Sequence, residues 1–450
     1  MKNFQTRLWK HFQELKEAPA ILRIDGDGKP QTESFWQWTR SIQNVAMALL
    51  EKGFKPGTRV GLIGLPRDAE LELVVATWLL GGCAVPLPGD LERKGLLHCL
   101  ARSGCTWIAV TDEATRSDLR GPGGDLPDHL KWLITDLDED ASSDPIFALQ
   151  DLYRRGRHLI QRGKASALAK RIYGLKPRDP ALIFFEPTPQ DQWEGAFFGA
   201  HKMALQLDAI ASQMGLSTDG DTSSVVASLC DGGHGPSLQF CLAALWAGAT
   251  VALPGPKAFE DLPGLKPTFL IADHPHLESM GKRYRQRLER APDILKKMAS
   301  DDGDNAWIAS LGSIGERAAK KFLYDPIRRE FGPRLKGLYI AGGQCPVGLS
   351  PILAGADITL LGFFWLPEAG LSHVEHPDAH RPDSAGRPIE GLATKILDAK
   401  TGEIGELCLR GETLLDNYWA GDGLRKTDDK GWLRTGQLAR LESGFLFVDP

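Results

Sequence analysis

The sequence has little of what marks several classes of protein. Its 53 Lys and Arg are outnumbered by 58 Asp and Glu, so no basic surplus indicates a nucleic-acid partner. No apolar run approaches the roughly 20 residues that a membrane span needs. The seven cysteines form no Cys-x-x-Cys pair, which disfavours a disulfide framework or a zinc site. We therefore expect a cytoplasmic protein with no nucleic acid bound and no membrane span.

Short apolar strands alternate with helical patterns over most of the chain. The clearest strands are predicted at 59–65, 83–87, 107–111, 225–229, 250–253 and 335–341. Helices interleaved with such strands indicate parallel sheets covered on both faces. From about Gly386 the pattern changes to short alternating strands separated by Gly and Asp, which favours a small antiparallel barrel or sheet. We predict an α/β fold class with a β-rich C-terminal part.

The stretch from Asp179 to Lys202 has the layout of a phosphate-binding loop. Five apolar residues, 181–185, predict a buried strand, a loop with proline and glycine follows, and a helix begins near Ala200. A helix start with exposed backbone N–H groups favours an anion. The loop nevertheless contains no Lys or Arg before Lys202, and it carries the acidic residues Glu186, Asp191 and Glu194. The layout indicates a nucleotide site, whereas the charges oppose one.

A basic amphipathic helix is predicted at about 153–173, immediately before this stretch. Because a run of charges on a helix is usually hydrated, we interpret its basic face as a solvated surface and not as a binding patch.

The sequence resembles the AMP-forming adenylating superfamily, and its pattern of motifs is most similar to that of the long-chain acyl-CoA synthetases. The resemblance covers nearly the whole chain. The segments that carry it are LAALWAGATVALPG at 242–255, DPIRREFGPRLKGLYIAGGQCP at 325–346, and the run from RPDSAGRPIEGLATKILD through GWLRTGQLARLESGFLFV at 381–448. It implies the large N-terminal domain of an acyl-adenylate-forming enzyme, with two α/β subdomains and a small distorted β-barrel.

The domain boundaries follow from the same resemblance. We expect a synthetase-like α/β domain over 1–380 and a β-barrel-like subdomain over 381–450. The family's small C-terminal lid domain, which carries a catalytic Lys, is expected to be absent, since the chain ends soon after its last predicted strand.

The resemblance places the phosphate loop on the stretch that has the unusual charges. Glu194 stands where the family has its triphosphate-binding Lys, and Thr188 is a possible remnant of the loop's hydroxyl residues. Like charges 4 Å apart cost about 4 kcal/mol at an effective dielectric near 20, so carboxylates facing a polyphosphate would oppose its binding.

The adenine and ribose positions also depart from the family pattern. In LGFFWLPEAG, Phe363 keeps the aromatic role and Glu368 is the candidate metal carboxylate if one residue is inserted, while Pro367 replaces the expected Thr. Alternatively, the aromatic residues of this segment only end a buried strand. Gln437 occupies the position of the ribose-binding Asp, and a neutral Gln cannot supply an anionic hydrogen-bonding fork.

Two further remnants of the family site are present. Gly342 and Gly343 match the glycine pair on the adenine side, and His234 in DGGHGPS matches the His of the acyl-pocket motif. His234 is a low-ranking catalytic candidate, because a lone His is more often structural.

Two functions remain open from the sequence. The favoured one is a non-catalytic, lidless homologue of the acyl-CoA synthetases, a pseudoenzyme that binds an acyl chain, an acyl-carrier ligand or a partner protein. The alternative is a divergent ATP-dependent fatty acid or carboxylate ligase whose lid comes from another chain, and only this alternative requires ATP and Mg²⁺. An acyl transfer through Cys230 and His234 is a variant of it, although Cys230 follows a buried strand.

Overall fold

The computed structural model describes residues 3–119, 127–135, 146–187, 193–217, 220, 223–289, 324–341, 345–346, 348–397, 399, 402–419, 427–428 and 430–449. In chain order the helices are α1 Phe4–Leu15, α2 Phe35–Glu51, α3 Arg67–Leu79, α4 Arg93–Ser103, α5 Glu113–Leu119, α6 Leu149–Gln161, α7 Ala165–Gly174, α8 Ala200–Gln213, α9 Gly235–Ala247, α10 Ala258–Leu265, α11 His274–Glu289, α12 Asp325–Phe331 and α13 Leu349–Gly355.

The strands are short, as the sequence predicts. They are β1 Pro19–Ile24, β2 Pro30–Ser34, β3 Arg59–Ile63, β4 Cys83–Leu87, β5 Trp107–Val110, β6 Trp132–Thr135, β7 Ile146–Ala148, β8 Pro180–Pro187, β9 Trp193–Gly199, β10 Val225–Ser228, β11 Thr250–Leu253, β12 Phe269–Asp273, β13 Gly337–Ala341, β14 Leu360–Leu361, β15 Phe363–Leu366, β16 Gly370–Val374, β17 Arg387–Pro388, β18 Leu392–Leu397, β19 Gly405–Gly411, β20 Asn417–Trp419, β21 Leu433–Glu442 and β22 Phe445–Val448.

Two large, mostly parallel sheets form the framework. The eight-stranded sheet has the order β20-β9-β8-β4-β3-β5-β6-β7, and the seven-stranded sheet has the order β14-β13-β12-β10-β11-β1-β2. Adjacent strands are parallel except at one edge of each sheet, where β8, β9 and β20 pair antiparallel and β2 pairs antiparallel with β1. The predicted α/β class is confirmed.

The C-terminal strands are antiparallel. Strands β18, β19, β21 and β22 form a four-stranded sheet, and β15, β16 and β17 form a three-stranded sheet beside it. Strand β20 leaves this region to join the edge of the eight-stranded sheet through β9. The predicted change to short alternating strands after Gly386 therefore corresponds to a curled, half-barrel region. Strand β20 joins this region to the hairpin of β8 and β9, where the phosphate loop is expected.

Two local predictions were wrong. Gly195 was placed in a loop, but residues 193–199 form β9, which pairs antiparallel with β8 from Pro187↔Trp193 to Pro180↔Gly199. The single basic helix predicted at 153–173 is two helices, α6 and α7, since the chain turns at Gly163 with a φ of +78°.

One large core joins the helical layers to both sheets. Trp38 and Trp78 are fully buried in it, and Trp78 Nε1 donates to the carbonyl oxygen of Ala181 on β8 at 2.7 Å. The predicted core cysteines Cys83, Cys99, Cys230 and Cys241 are all buried. None of the described helices combines the length and the apolarity that crossing a bilayer requires.

The packing of α6 on α2 depends on Gly156. A Cβ at this position would lie 1.8 Å from the carbonyl oxygen of Asn44, so any side chain must separate the two helices. We expect Gly156→Ala to lower the free energy of unfolding by about 1–3 kcal/mol, the usual cost of overpacking. Gly174→Ala is the matched control, since a Cβ there meets nothing within 4 Å. Urea unfolding of both variants measures the difference, and equal midpoints would contradict the assignment.

Candidate functional site

The phosphate-loop position lies at the tip of the β8–β9 hairpin. Glu194 on β9 is paired in register with Glu186 on β8, and the residues between the strands, including Thr188, lie outside the described part of the chain. Gly195 allows the close packing of this hairpin, because a Cβ there would lie 2.9 Å from side-chain atoms of Ile183 and Phe185. The pairing of the two strands presents Glu194 at a partly exposed site.

Glu194 and Glu368 both affect the hydroxyl of Tyr418. The Tyr418 hydroxyl donates to Glu368 Oε1 at 2.8 Å. Burial raises the pKa of Tyr418, and the charge of Glu368, its hydrogen bond and the charge of Glu194 raise it further. Strand pairing explains the arrangement, because Tyr418 on β20 is opposite Ala196 on β9, two residues from Glu194 and therefore on the same face. Two carboxylates at one phenol form an environment that attracts cations and repels phosphate.

A buried amide network fixes the turn that carries Glu368. Gln206 Nε2 on α8 donates to the carbonyl oxygens of Ala369 and Thr413 at 2.9 and 2.8 Å, and its Oε1 accepts from Gln239 Nε2 on α9 at 2.8 Å. Gln239 Oε1 in turn accepts from Leu371 N at 3.0 Å. Every amide atom of this pair that faces the β15–β16 turn is thus hydrogen-bonded, so the position of Glu368 is set by the core of the protein.

Phe363 and Trp365 are half-buried on β15. The rings of Phe363 and Phe240 pack edge-on, with their centroids 5.2 Å apart. The rings of Trp365 and Phe184 pack in the same way, with their centroids 5.4 Å apart. Trp365 Nε1 donates to Gln239 Oε1 at 2.9 Å, and its ring lies so close to Gly235 that a Cβ there would be 2.8 Å away. Trp365 therefore covers the N-terminus of α9, which is the end that carries the acyl-pocket motif.

The segment DGGHGPS at 231–237, which resembles the family's acyl-pocket motif, lies between the two large sheets. A buried ion pair holds it in place. Arg67 and Glu70 on α3 are paired, and both side chains are almost inaccessible to solvent. Arg67 Nη2 donates to Asp231 O at 2.5 Å and to Ser237 Oγ at 3.2 Å, and Glu70 Oε1 accepts from Gly233 N at 2.8 Å. Burial raises the pKa of Glu70. The charge of Arg67 and the hydrogen bonds from Arg67 and Gly233 N oppose this rise.

Two glycines make this contact possible. A Cβ at Gly232 would lie 2.0 Å from the carbonyl oxygen of Leu65, and one at Gly233 would lie 2.2 Å from that of Leu87. Gly233 also has a φ of +82°, which favours glycine. The motif's glycines therefore have a packing role in joining the second sheet to the first.

His234 begins α9 as its N-cap residue, and its Nδ1 accepts from Ser237 N at 3.3 Å. Because Nδ1 is an acceptor, the proton of the neutral ring is on Nε2. Burial and the Arg67 charge lower the pKa of His234 to about 4, despite the opposing charge of Asp273. Cys230 lies four residues before His234 in the sequence, and burial raises its pKa to about 12, so its thiolate is scarce at neutral pH.

Of the remaining predicted residues, the structure describes Gln437, which is not joined to this cluster. Gln437 is exposed on β21, where its backbone N–H donates to Thr435 Oγ1 at 3.1 Å in the four-stranded sheet. Gly342 and Gly343 lie outside the described residues, directly after β13. Within the described ranges, no three His, Cys, Asp or Glu side chains are arranged to hold a metal ion.

Sequence reasoning missed the residues that hold the site together. The residues that it missed lie far in sequence from the groups they contact: Arg67 is 164 residues from Asp231, and Gln206 is 207 residues from Thr413. They are Arg67, Glu70, Gln206, Gln239 and Tyr418. A weak signal existed in α3 and α9, where these charged and amide side chains interrupt otherwise buried apolar helices.

The chain matches a known protein family and is similar to known proteins over most of its length. The family profile described as "AMP-binding enzyme" matches residues 8–186 and 199–419. The long-chain-fatty-acid–CoA ligase ACSBG2 of Mus musculus is 19% identical over 97% of this chain and 68% of its own length, and that of Xenopus laevis is 20% identical over 92% and 58%. The chain thus spans between about three fifths and two thirds of these relatives.

Solved structures show the same fold. The long-chain-fatty-acid–CoA ligase FadD1 of Archaeoglobus fulgidus superposes with a TM-score of 0.73 at 18% identity, over 99% of this chain and 83% of that protein. The N-terminal domain of FACL13 from Mycobacterium tuberculosis superposes with a TM-score of 0.69 at 16% identity, over the full length of both chains.

The buried ion pair is testable by removing one partner. We expect Arg67→Met to lower the free energy of unfolding by about 3–5 kcal/mol, because it leaves the Glu70 carboxyl buried without its counter-charge. The matched control is Arg7→Met, which removes the exposed Arg7–Asp208 pair and should cost less than about 1 kcal/mol. Denaturant unfolding measures both, and equal effects would show that the pair does not hold the two sheets together.

Two imidazoles, that of the buried His373 and that of the partly buried His234, make a pH-dependent contribution to stability. Burial lowers the pKa of His234 to about 4 and that of His373 to about 3, below the usual value of 6.5. The unfolded chain therefore binds more protons, so these residues destabilise the fold progressively as the pH falls below 6.5, down to each folded-state pKa. NMR titration of the ring protons should show both rings neutral at pH 6, whereas His276, whose pKa is raised by its hydrogen bond to Asp273, should be largely protonated there. A normal midpoint for His234 would contradict its partly buried N-cap position.

Proposed function

Because the chain belongs to the family of AMP-binding enzymes, we propose that it is an acyl-binding homologue of the acyl-CoA synthetases whose nucleotide site has lost its ATP chemistry. The observation that carries this proposal is the cluster of Glu194, Glu368 and Tyr418 at the tip of the β8–β9 hairpin. At that place the family resemblance expects a Lys for the triphosphate.

The electrostatics of the cluster support the loss of ATP binding. Each carboxylate within 4 Å of a phosphate charge opposes it by about 4 kcal/mol at an effective dielectric near 20, whereas the expected Lys would attract it by a similar amount. A magnesium ion bridging Glu368 and a phosphate would offset part of this repulsion, but such ions usually accompany a Lys or Arg clamp and do not replace it. The donor set therefore fits a triphosphate poorly, and we assign no step to ATP.

The comparison with the family supports the same proposal. The first matched segment ends at residue 186 and the second begins at residue 199. The residues between them, which include Glu194 and nearly all of β9, are not matched. The framework around the hairpin keeps the family pattern, and the interruption falls on the element that would hold phosphate.

The apolar side of the site supports an acyl ligand. Aromatic residues from three elements, Phe184, Phe240, Phe363 and Trp365, converge on α9. Their burial in a common cluster provides the apolar surroundings that a hydrocarbon chain prefers. The relatives are named as long-chain-fatty-acid–CoA ligases, which makes a fatty acyl chain the first ligand to test.

A second candidate is a divergent ligase that works with a lid supplied by another chain. It is favoured by Glu368, which the Tyr418 hydroxyl and the amide network hold in a defined position. The difference in length from the curated relatives is compatible with either candidate. A protein partner or an acyl carrier would take part in this second function.

Titration calorimetry with ATP–Mg²⁺ tests the proposal. We expect no saturable binding below roughly 1 mM for the wild-type chain, and tighter binding by tenfold or more for Glu194→Lys, because the substitution replaces a repelling charge with an attracting one. Glu17→Lys makes the same charge change on the exposed segment after α1 and should leave the wild-type result unchanged. Micromolar binding by the wild type would contradict the loss of the nucleotide site.

Two further measurements test the acyl ligand and the second candidate. A fatty acid that binds should raise the unfolding temperature without ATP, since a ligand at 100 times its Kd stabilises by about 2.7 kcal/mol. Exchange of pyrophosphate into ATP that depends on added fatty acid would establish the ligase instead.

A further inference from the structure

The helices α6 and α7, together with the short segments that follow each of them, form a strongly basic surface (the α6–α7 surface) on a chain that is acidic as a whole. Residues 149–178 contain nine Lys and Arg and a single Asp, whereas the complete chain has a net charge of −5. The cations of this segment are Arg154, Arg155, Arg157, Arg162, Lys164, Lys170, Arg171, Lys176 and Arg178. This concentration of one sign of charge is a local feature that the net charge conceals.

The surface is held in place by its buried side. Leu152, Gly156 and Leu159 of α6 face the core, as do Leu168 and Ile172 of α7. At the C-terminal end of α7, Asn3 Nδ2 donates to the carbonyl oxygens of Ile172 and Leu175 at 3.1 and 2.7 Å. The basic side chains therefore project from a fixed scaffold.

The cations divide into structural and outward-facing groups. Arg154 and Arg155 pair with Asp151 and Glu51, and Arg171 donates to the carbonyl oxygens of Phe54 and Leu80 at 3.4 and 3.2 Å. The other six, Arg157, Arg162, Lys164, Lys170, Lys176 and Arg178, are exposed, and none forms an ion pair with another described residue. This second group is available to an anionic partner.

Apolar features occur on the same two helices. The Tyr173 side chain at the end of α7 is 59% exposed. A groove of about 260 Å³ opens between α7 and the first two helices, and its lining includes Trp9, Leu168 and Ala169. A second groove, of about 420 Å³, combines Phe147 and Leu152 with Lys52 and His158 beside α6. Both grooves border α2, so charge and apolar surface occur on one helical layer.

In place of the merely solvated face that the sequence pattern predicts, we propose that the α6–α7 surface docks the protein onto a lipid bilayer that contains anionic lipids. Basic residues beside an anionic leaflet gain about 1 kcal/mol each, and exposed aromatic rings prefer the interface between headgroups and acyl chains. Nucleic acid would satisfy the cations but offers no apolar phase for Tyr173 and the grooves. Since long acyl chains partition into bilayers, this docking would place the protein where such ligands reside. The proposal does not depend on whether ATP binds.

Vesicle flotation tests the docking. We expect the protein to float with vesicles of phosphatidylcholine and roughly one third phosphatidylserine, and not with phosphatidylcholine alone. Binding should disappear near 1 M salt, where the Debye length falls to about 3 Å. The quadruple variant Arg157→Gln, Arg162→Gln, Lys164→Gln and Lys170→Gln should lose roughly fivefold in partition coefficient per charge, a total on the order of several hundredfold.

The matched control removes four exposed lysines elsewhere, as Lys29→Gln, Lys94→Gln, Lys282→Gln and Lys336→Gln. It should float like the wild type, and thermal unfolding confirms that both variants are folded. Equal losses in the two variants, equal binding to neutral vesicles, or no binding to anionic vesicles would overturn the proposal. Preferential binding of double-stranded DNA or polyglutamate over the anionic vesicles would overturn it as well, since either result would assign the surface to another polyanion.

Discussion

The buried pair of Arg67 and Glu70 is the constraint on which the arrangement of the two large sheets depends. Both residues lie on α3 beside the first sheet, yet their hydrogen bonds reach the backbone at Asp231 and Gly233 after β10 of the second sheet. A buried charge pair needs hydrogen bonds to its remaining polar atoms. Here the backbone at Asp231 and Gly233 and the Ser237 hydroxyl supply them, and among these atoms Arg67 Nε alone has no partner in the described part of the chain. The acyl-pocket motif is thus ordered by the same contact that joins the sheets.

The half-barrel region is tied to this framework through amides and one phenol. Gln206 and Gln239 connect two core helices to the β15–β16 turn, and Tyr418 connects β20 to Glu368. Strand pairing places Glu194 on the face of the sheet that carries Tyr418, so its charge adds to that of Glu368, 174 residues away in the sequence, in raising the pKa of the Tyr418 hydroxyl. The combined acidic surroundings of this hydroxyl are a property of the assembled fold, and the proposed loss of ATP chemistry rests on them.

Much of the framework was predictable because local patterns agree with it. The strands 83–87 and 250–253 were predicted with the bounds that the structure has, since each is a short apolar run between turn signals. Strand β9 was missed because Gly195 and Gly199 resemble loop residues, and only its pairing with β8 explains them. Gly163 divided the basic helix because a positive φ ends a helix whatever the surrounding periodicity.

The sequence by itself determined the α/β class, the change to antiparallel strands near the C-terminus and the presence of an acidic residue at position 194, because these follow from periodicity and residue type. Only the tertiary structure decided that the charges of Glu194 and Glu368 both act on the Tyr418 hydroxyl, that Trp365 covers the start of α9, and that α6 and α7 border apolar grooves. The physical reason is that burial, pKa and the summed field of a surface depend on neighbours brought together by long-range packing, which no local pattern encodes.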